Sequence, residues 1–172
     1  MCSNMFDGCE LLTIAPELPA TTLSYSCYNS MFANCTSLTT APSILPATTL
    51  TEYCYEAMFQ GCTSLVSVPV NYLPATTLAN NCYQSMFYYC RSLTTAPELP
   101  ATTLVEGCYT QMFRECKNLN YIKCLAEDIT ATNCTTNWTS GVIRTGTFVK
   151  SSLGVWPGGV NGIPNGWTIQ NV

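Results

Sequence analysis

With 172 residues, 47% of them hydrophobic and only 9% charged, the chain is long enough for one ordinary domain and is not a disordered polymer. Its formal net charge is −4 and all six basic residues lie from Arg91 onward, which argues against nucleic acid as a partner, since a phosphate-tracking surface needs clustered cations. No apolar run approaches the length of a membrane span, so no membrane insertion is expected.

The N-terminus, Met1-Cys2-Ser3-Asn4, has neither the basic nor the apolar region of a signal peptide. Directly after it stands the first of five copies of Met-Phe-x-x-Cys, at Met5, Met31, Met58, Met86 and Met112. The intervals are 26, 27, 28 and 26 residues, a period that predicts a stacked repeat architecture. Within the second copy, Cys27, Met31 and Cys35 recur at i, i+4 and i+8 beside Tyr28 and Phe32, and this predicts a helix of about two turns. Leu38-Thr39-Thr40-Ala41-Pro42 predicts a short strand, and Ile44 to Leu50 a turn with a second extended segment. No such unit buries its apolar face alone. Stacking turns Leu12, Leu38, Leu65, Leu93 and Leu119 into one ladder, and Leu23, Leu50, Leu78 and Leu104 into another. The Met and Phe stripes are read as core, not as cofactor sites. The expected fold class is therefore an α/β solenoid of five 26–28-residue repeats over residues 1–123.

Length varies at one place only, between the paired prolines. Pro16-Glu17-Leu18-Pro19 and Pro97-Glu98-Leu99-Pro100 are short, whereas Pro42-Ser43-Ile44-Leu45-Pro46 and Pro69-Val70-Asn71-Tyr72-Leu73-Pro74 carry insertions. Insertions in repeat stacks collect on one surface, often the binding face; drift at a tolerant turn gives the same pattern. After Ile122 the pattern breaks and Gly, Pro and Trp dominate, with Trp138, Trp156 and Trp167 all in this part. Residues 124–172 are predicted to be a β-rich cap over the last rung. At the other end Cys2 takes the position that Tyr28 holds in the next copy, and nothing covers Met5, Phe6, Leu12 and Ile14. Either further repeats precede it, or this end meets another chain.

The twelve cysteines do not suit a disulfide framework. Those within a copy are eight residues apart, about 12 Å along a helix and beyond disulfide reach. Buried free thiols are the favoured reading, with Cys124 and Cys134, outside the ladder, as candidates for a bridge. With no histidine in the chain, the usual nucleophile–base pairs and metal ligand sets are missing, and C-x7-C is not zinc spacing. Glu52 and Glu56 pose as a carboxylate pair but read as a solvated face near a helix start. Asn34, Asn133 and Asn137 begin glycosylation sequons, a motif common by chance. No catalytic residue, metal or cofactor is expected.

The order Met-Phe-x-x-Cys-x-x-Leu-x-x-Ala-Pro, followed by Leu-Pro-Ala-Thr-Thr-Leu, covers roughly residues 1–130 and resembles the BspA-like (Treponema pallidum type) leucine-rich repeat family. It departs from that family's Ala-Phe-x-x-Cys-x-x-Leu-x-x-Ile pattern in having Met before Phe, Ala-Pro in place of Ile, and a longer repeat. The tail is similar to the C-terminal ends of such proteins from gut anaerobes. The resemblance implies a right-handed, leucine-rich-repeat-like stack, an extracellular or cell-surface location and an adhesion role. It brings no catalytic residues. The expected function is non-enzymatic binding of a protein or glycan across the strand and turn face, at Thr39, Thr40, Ser43, Ser67, Val70, Asn71, Tyr72, Thr94, Thr95 and Glu98. The rival is a structural subunit that self-assembles as a homo-oligomer through Met5, Phe6, Leu12 and Ile14.

Overall fold

The structure, a computed structural model, describes residues 3–172; Met1 and Cys2, with the expected equivalence of Cys2 and Tyr28, lie outside the described residues. What the backbone does in the Met-Phe-x-x-Cys segments follows from one dihedral angle. Every fourth residue there has a positive φ: Ser26, Ser30 and Asn34, then Tyr53, Ala57 and Gly61, then Asn81, Ser85 and Tyr89, then Gly107, Gln111 and Glu115. A right-handed helix has no place for a residue at φ near +55°. The predicted helices are therefore absent. None of the described residues is helical, regular strand is confined to three segments of four residues, and the α/β solenoid of five repeats is not the architecture of this chain.

The segments are runs of overlapping turns. Alternate N–H groups close turns within the segment, as from Met31 to the carbonyl of Tyr28 at 3.2 Å and from Cys35 to that of Phe32 at 3.2 Å. The intervening ones point sideways to the following segment. Tyr28 donates to Cys54 at 2.9 Å, Ser30 to Glu56 at 2.8 Å and Phe32 to Met58 at 2.9 Å. Backbone pairing thus runs across segments as it does in a sheet, which satisfies the buried polar groups without a helix. It also lays like side chains on like. Phe6, Phe32, Phe59, Phe87 and Phe113 stack at centroid separations of 5.5, 5.5, 5.7 and 5.8 Å. Tyr28, Tyr55, Tyr83 and Tyr109 form a second stack, which Trp138 continues. Leu38, Leu65, Leu93 and Leu119 are fully buried between these stacks and the opposite face.

That opposite face carries the predicted strands only as isolated parallel bridges, such as Ile14 to Thr40 and Thr95 to Tyr121. Proline explains the interruption: Pro16, Pro42, Pro69 and Pro97 each remove a ladder donor just after the Thr-rich stretch. Where the proline drops out, strand appears. β1 (Tyr121–Cys124) pairs in parallel with β2 (Thr147–Lys150), and β2 with β3 (Thr168–Asn171). β1 spans the expected boundary at 123/124, and stacking runs on past it. The Tyr109 N–H donates to the Cys134 carbonyl at 2.8 Å and that of Phe113 to the Trp138 carbonyl at 2.9 Å. Trp138 is fully buried, donates from its indole N–H to the Gly162 carbonyl at 2.9 Å, and stacks on Trp156 at 5.2 Å.

Candidate functional site

The Thr-rich face is uneven, and the unevenness begins at the inserted residues. In the stretch Pro69 to Pro74, Tyr72 turns inward instead of lining the surface: it is 0% exposed and its ring centroid lies 6.2 Å from that of Phe59. Its hydroxyl is buried without a hydrogen-bond partner among the described residues, and burial pushes its pKa upward. Tyr72 is therefore removed from the predicted binding face; the extra length of this repeat lets an aromatic ring fill the interior. Its neighbour Val70 is thrown outward to 64% exposure. Among the described residues, no backbone hydrogen bond joins 38–44 to 65–71, although Thr39 and Thr40 both donate to the carbonyl of Thr13 on the preceding side.

The gap leaves a depression of ≈ 510 Å³ lined by Thr39, Thr40, Ser43, Ser67 and, from the preceding repeat, Glu17. Glu17 is held by the next rung: the Ser43 N–H donates to its two carboxylate oxygens at 2.9 and 3.0 Å, and the Ser43 hydroxyl donates at 2.7 Å. Glu98 occupies the same repeat position and makes the corresponding contact with charge, at 2.9 Å from Lys123 Nζ. A second depression, ≈ 560 Å³, is lined by Val70, Thr95, Ala96, Glu98, Asn120, Tyr121 and Lys123. A smaller one beside it, ≈ 150 Å³, contains Asn71.

The structure thus gathers Thr39, Thr40, Ser43 and Ser67 at one hollow and Val70, Thr95 and Glu98 at the next. Thr94 is half-buried, and its hydroxyl donates to the Val66 carbonyl at 3.4 Å. Glu17, Asn120, Tyr121 and Lys123 were not anticipated. The signal for them was the period itself, since Asn120 and Tyr121 stand 26 residues after Thr94 and Thr95.

The other predicted chemistry resolves into structure. Glu56 is half-buried and ties three rungs together. It accepts from Asn29 Nδ2 at 2.6 Å and Gln84 Nε2 at 3.1 Å, and burial raises its pKa. It is not a solvated partner of Glu52. All the described cysteines are free, including Cys124 and Cys134, so the expected bridge between these two is not formed. Thiols of the ladder point back at the preceding rung: Cys62 donates to the Phe32 carbonyl at 3.1 Å and Cys90 to that of Phe59 at 3.0 Å. Burial pushes Cys54, Cys108 and Cys124 up to about 12 and Cys35 to about 11, and raises Cys62, Cys82, Cys90 and Cys116 as well. A thiol held protonated is neither nucleophile nor metal ligand. Among the described residues, no three His, Cys, Asp or Glu side chains converge to hold a metal ion.

At the first rung Leu11, Ile14 and Met5 are 92%, 65% and 58% exposed, while Phe6 and Leu12 are half-buried against the second rung. No protein-family model matches the chain, and neither a curated protein nor a solved structure matches it.

Proposed function

We propose that the chain is a non-enzymatic binding protein whose Thr-rich face takes a protein or glycan ligand, in an adhesin-like role. The observation that carries this reading is the pair of hollows on the Thr-rich face, one of them walled by Val70 of the inserted turn, with hydroxyl, carboxylate, amide and ammonium groups presented together. Binding surfaces of stacked repeats collect where inserted turns collect. The likeness of the repeat to the BspA-like family supports the same role and a place at the cell surface. Buried, protonated thiols are compatible with such a place, because the thiolate is the form that oxidises.

The test is a defined protein and glycan array probed with the purified chain, followed by the variants Thr40→Arg, Val70→Arg and, on the turn side, Glu52→Arg. Binding to a defined ligand is expected to be lost in the first two variants and kept in the third. Binding that survives both face substitutions, or no binding across the array, would overturn the proposal.

A second reading is favoured by the exposure of Leu11, Ile14 and Met5. In it the chain self-assembles through its first rung. Concentration-dependent association measured by light scattering separates this from simple ligand binding.

A further inference from the structure

The hollow bounded by Glu98, Asn120, Tyr121 and Lys123 has a chemistry of its own. Its two charges neutralise each other across 2.9 Å, so an anion or a cation entering it gains from one partner what it loses to the other. Lys123 Nζ donates one bond here and has three N–H groups to give, and only one Glu98 oxygen is engaged. The Thr95 hydroxyl and the side-chain amide of Asn120 make no hydrogen bond among the described residues. The site therefore offers several uncommitted donors and acceptors around no net charge.

Its backbone is committed. Thr95 is bridged to Tyr121, the Ala96 N–H donates to the Tyr121 carbonyl at 3.0 Å, and the Leu99 N–H donates to that of Lys123 at 3.0 Å. A peptide that docks by adding a strand needs an unpaired edge, and this hollow has none to give. Recognition must run through side chains. Tyr121, half-exposed on the wall, supplies a flat apolar face that can meet the C–H face of a pyranose ring, and Val70 supplies an apolar wall opposite. The volume of ≈ 560 Å³ falls within the range of about 300–1,000 Å³ typical of small-ligand sites.

We infer that this hollow binds one residue of a neutral glycan, with Tyr121 as the ring platform and Thr95, Glu98, Asn120 and Lys123 as partners of the sugar hydroxyls. The inference deepens the binding-face reading and rests on it. Charge neutrality selects a hydroxyl-rich uncharged ligand, and paired hydroxyl recognition rejects sugars lacking the matching groups.

The experiment is saturation-transfer NMR on the full chain with the methyl glycosides of glucose, galactose, mannose and N-acetylglucosamine, and with a sialoside as the charged comparison. Transfer to at least one neutral glycoside is expected. Asn120→Ala and Glu98→Gln should each weaken its binding by about tenfold, the loss of roughly one hydrogen bond to a charged or polar partner, with the thermal midpoint unmoved. The sialoside should bind no more tightly than the neutral sugars. No transfer to any glycoside, or transfer that both variants leave unchanged, would overturn the inference. If arrays give a protein ligand that Val70→Arg abolishes while no sugar binds, the glycan inference falls and the face reading stands. If neither Thr40→Arg nor Val70→Arg alters any binding, the face reading falls as well.

Discussion

At the scale of single residues, the recurring left-handed positions decide the architecture, and their chemistry is mixed. Asn, Ser and Gly occupy several of them, the residues that visit this region at least cost, but Tyr53, Ala57, Gln111 and Glu115 do so too. Such a position costs an ordinary residue about 1–2 kcal/mol, so it persists only because flanking hydrogen bonds enforce it. Ala57 separates the turn architecture from the helix by sign. In a helix Ala57→Gly would lose about 1 kcal/mol. At φ 52° it relieves left-handed strain and gives back only the extra backbone entropy of glycine. We expect a net gain of about 0.5–1 kcal/mol in urea unfolding, from the difference between those two effects. Gly107→Ala should go the other way by at least about 1–2 kcal/mol, because φ is +61° and the added Cβ would run into Asn81 Oδ1. A stability loss in Ala57→Gly would restore the helix.

At the scale of elements, the lateral register of the segments was legible and their conformation was not. Met-Phe-x-x-Cys marks which residues lie side by side, and the phenylalanines stack as that register requires. A spacing of i, i+4, i+8 drifts by only about 40° per step on a helix, too little over nine residues to separate a period of 4.0 from one of 3.6. The distinguishing mark was Asn, Ser or Gly at many of the fourth positions, as at Ser26, Ser30 and Asn34, a signal that Tyr53, Ala57 and Gln111 interrupt and the apolar pattern masks. Tyr72 was misplaced for a related reason: inside an insertion no repeat partner says which way a side chain faces. Two expectations belong here. Phe59 is fully buried between Phe32 and Phe87, so Phe59→Ala should cost about 3–5 kcal/mol; a cost below about 1 kcal/mol in denaturant titration would show that the stack does not carry the core. The thiol ladder makes stability sensitive to alkali. Below the ordinary thiol value of 9.0 both folded and unfolded chains keep their protons, and the full stability is present. Above it the unfolded chain ionises while the folded one does not, so stability falls as pH rises, through the window from about 9 to about 12 set by Cys54, Cys108 and Cys124. Cooperative loss of near-ultraviolet dichroism, coincident with the appearance of thiolate absorbance, is expected inside that window. Thiolate absorbance that climbs while the dichroism holds would mean the thiols are open to solvent.

At the scale of the whole molecule, the sideways hydrogen bonds of the turn segments all run one way. Asn4 donates to Asn29, Phe6 to Met31 and Gly8 to Ala33, and the same direction holds to Phe113 and Trp138. The first rung therefore turns the matching carbonyls, those of Ser3, Met5 and Asp7, outward, and they accept no backbone hydrogen bond from another described residue. Two first rungs brought together on this side would oppose carbonyl to carbonyl. Self-association must then run through side chains, and Ile14, Met5 and Leu11 are the exposed ones. All three are exposed apolar side chains, a kind of surface that association covers. We expect weak dimerisation that grows with concentration in light scattering, and we expect Ile14→Asp, at an exposed position with little folding cost, to suppress it. A copy of residues 29–55 joined directly ahead of Ser3 keeps the repeat register and supplies N–H donors for the three carbonyls and a second ring to stack on Phe6. That addition should abolish the association and raise the urea midpoint together with its slope, as more surface is buried on folding. A chain that stays monomeric at every concentration would remove self-assembly as a function. Association that Ile14→Asp leaves intact would place the contact elsewhere on the molecule.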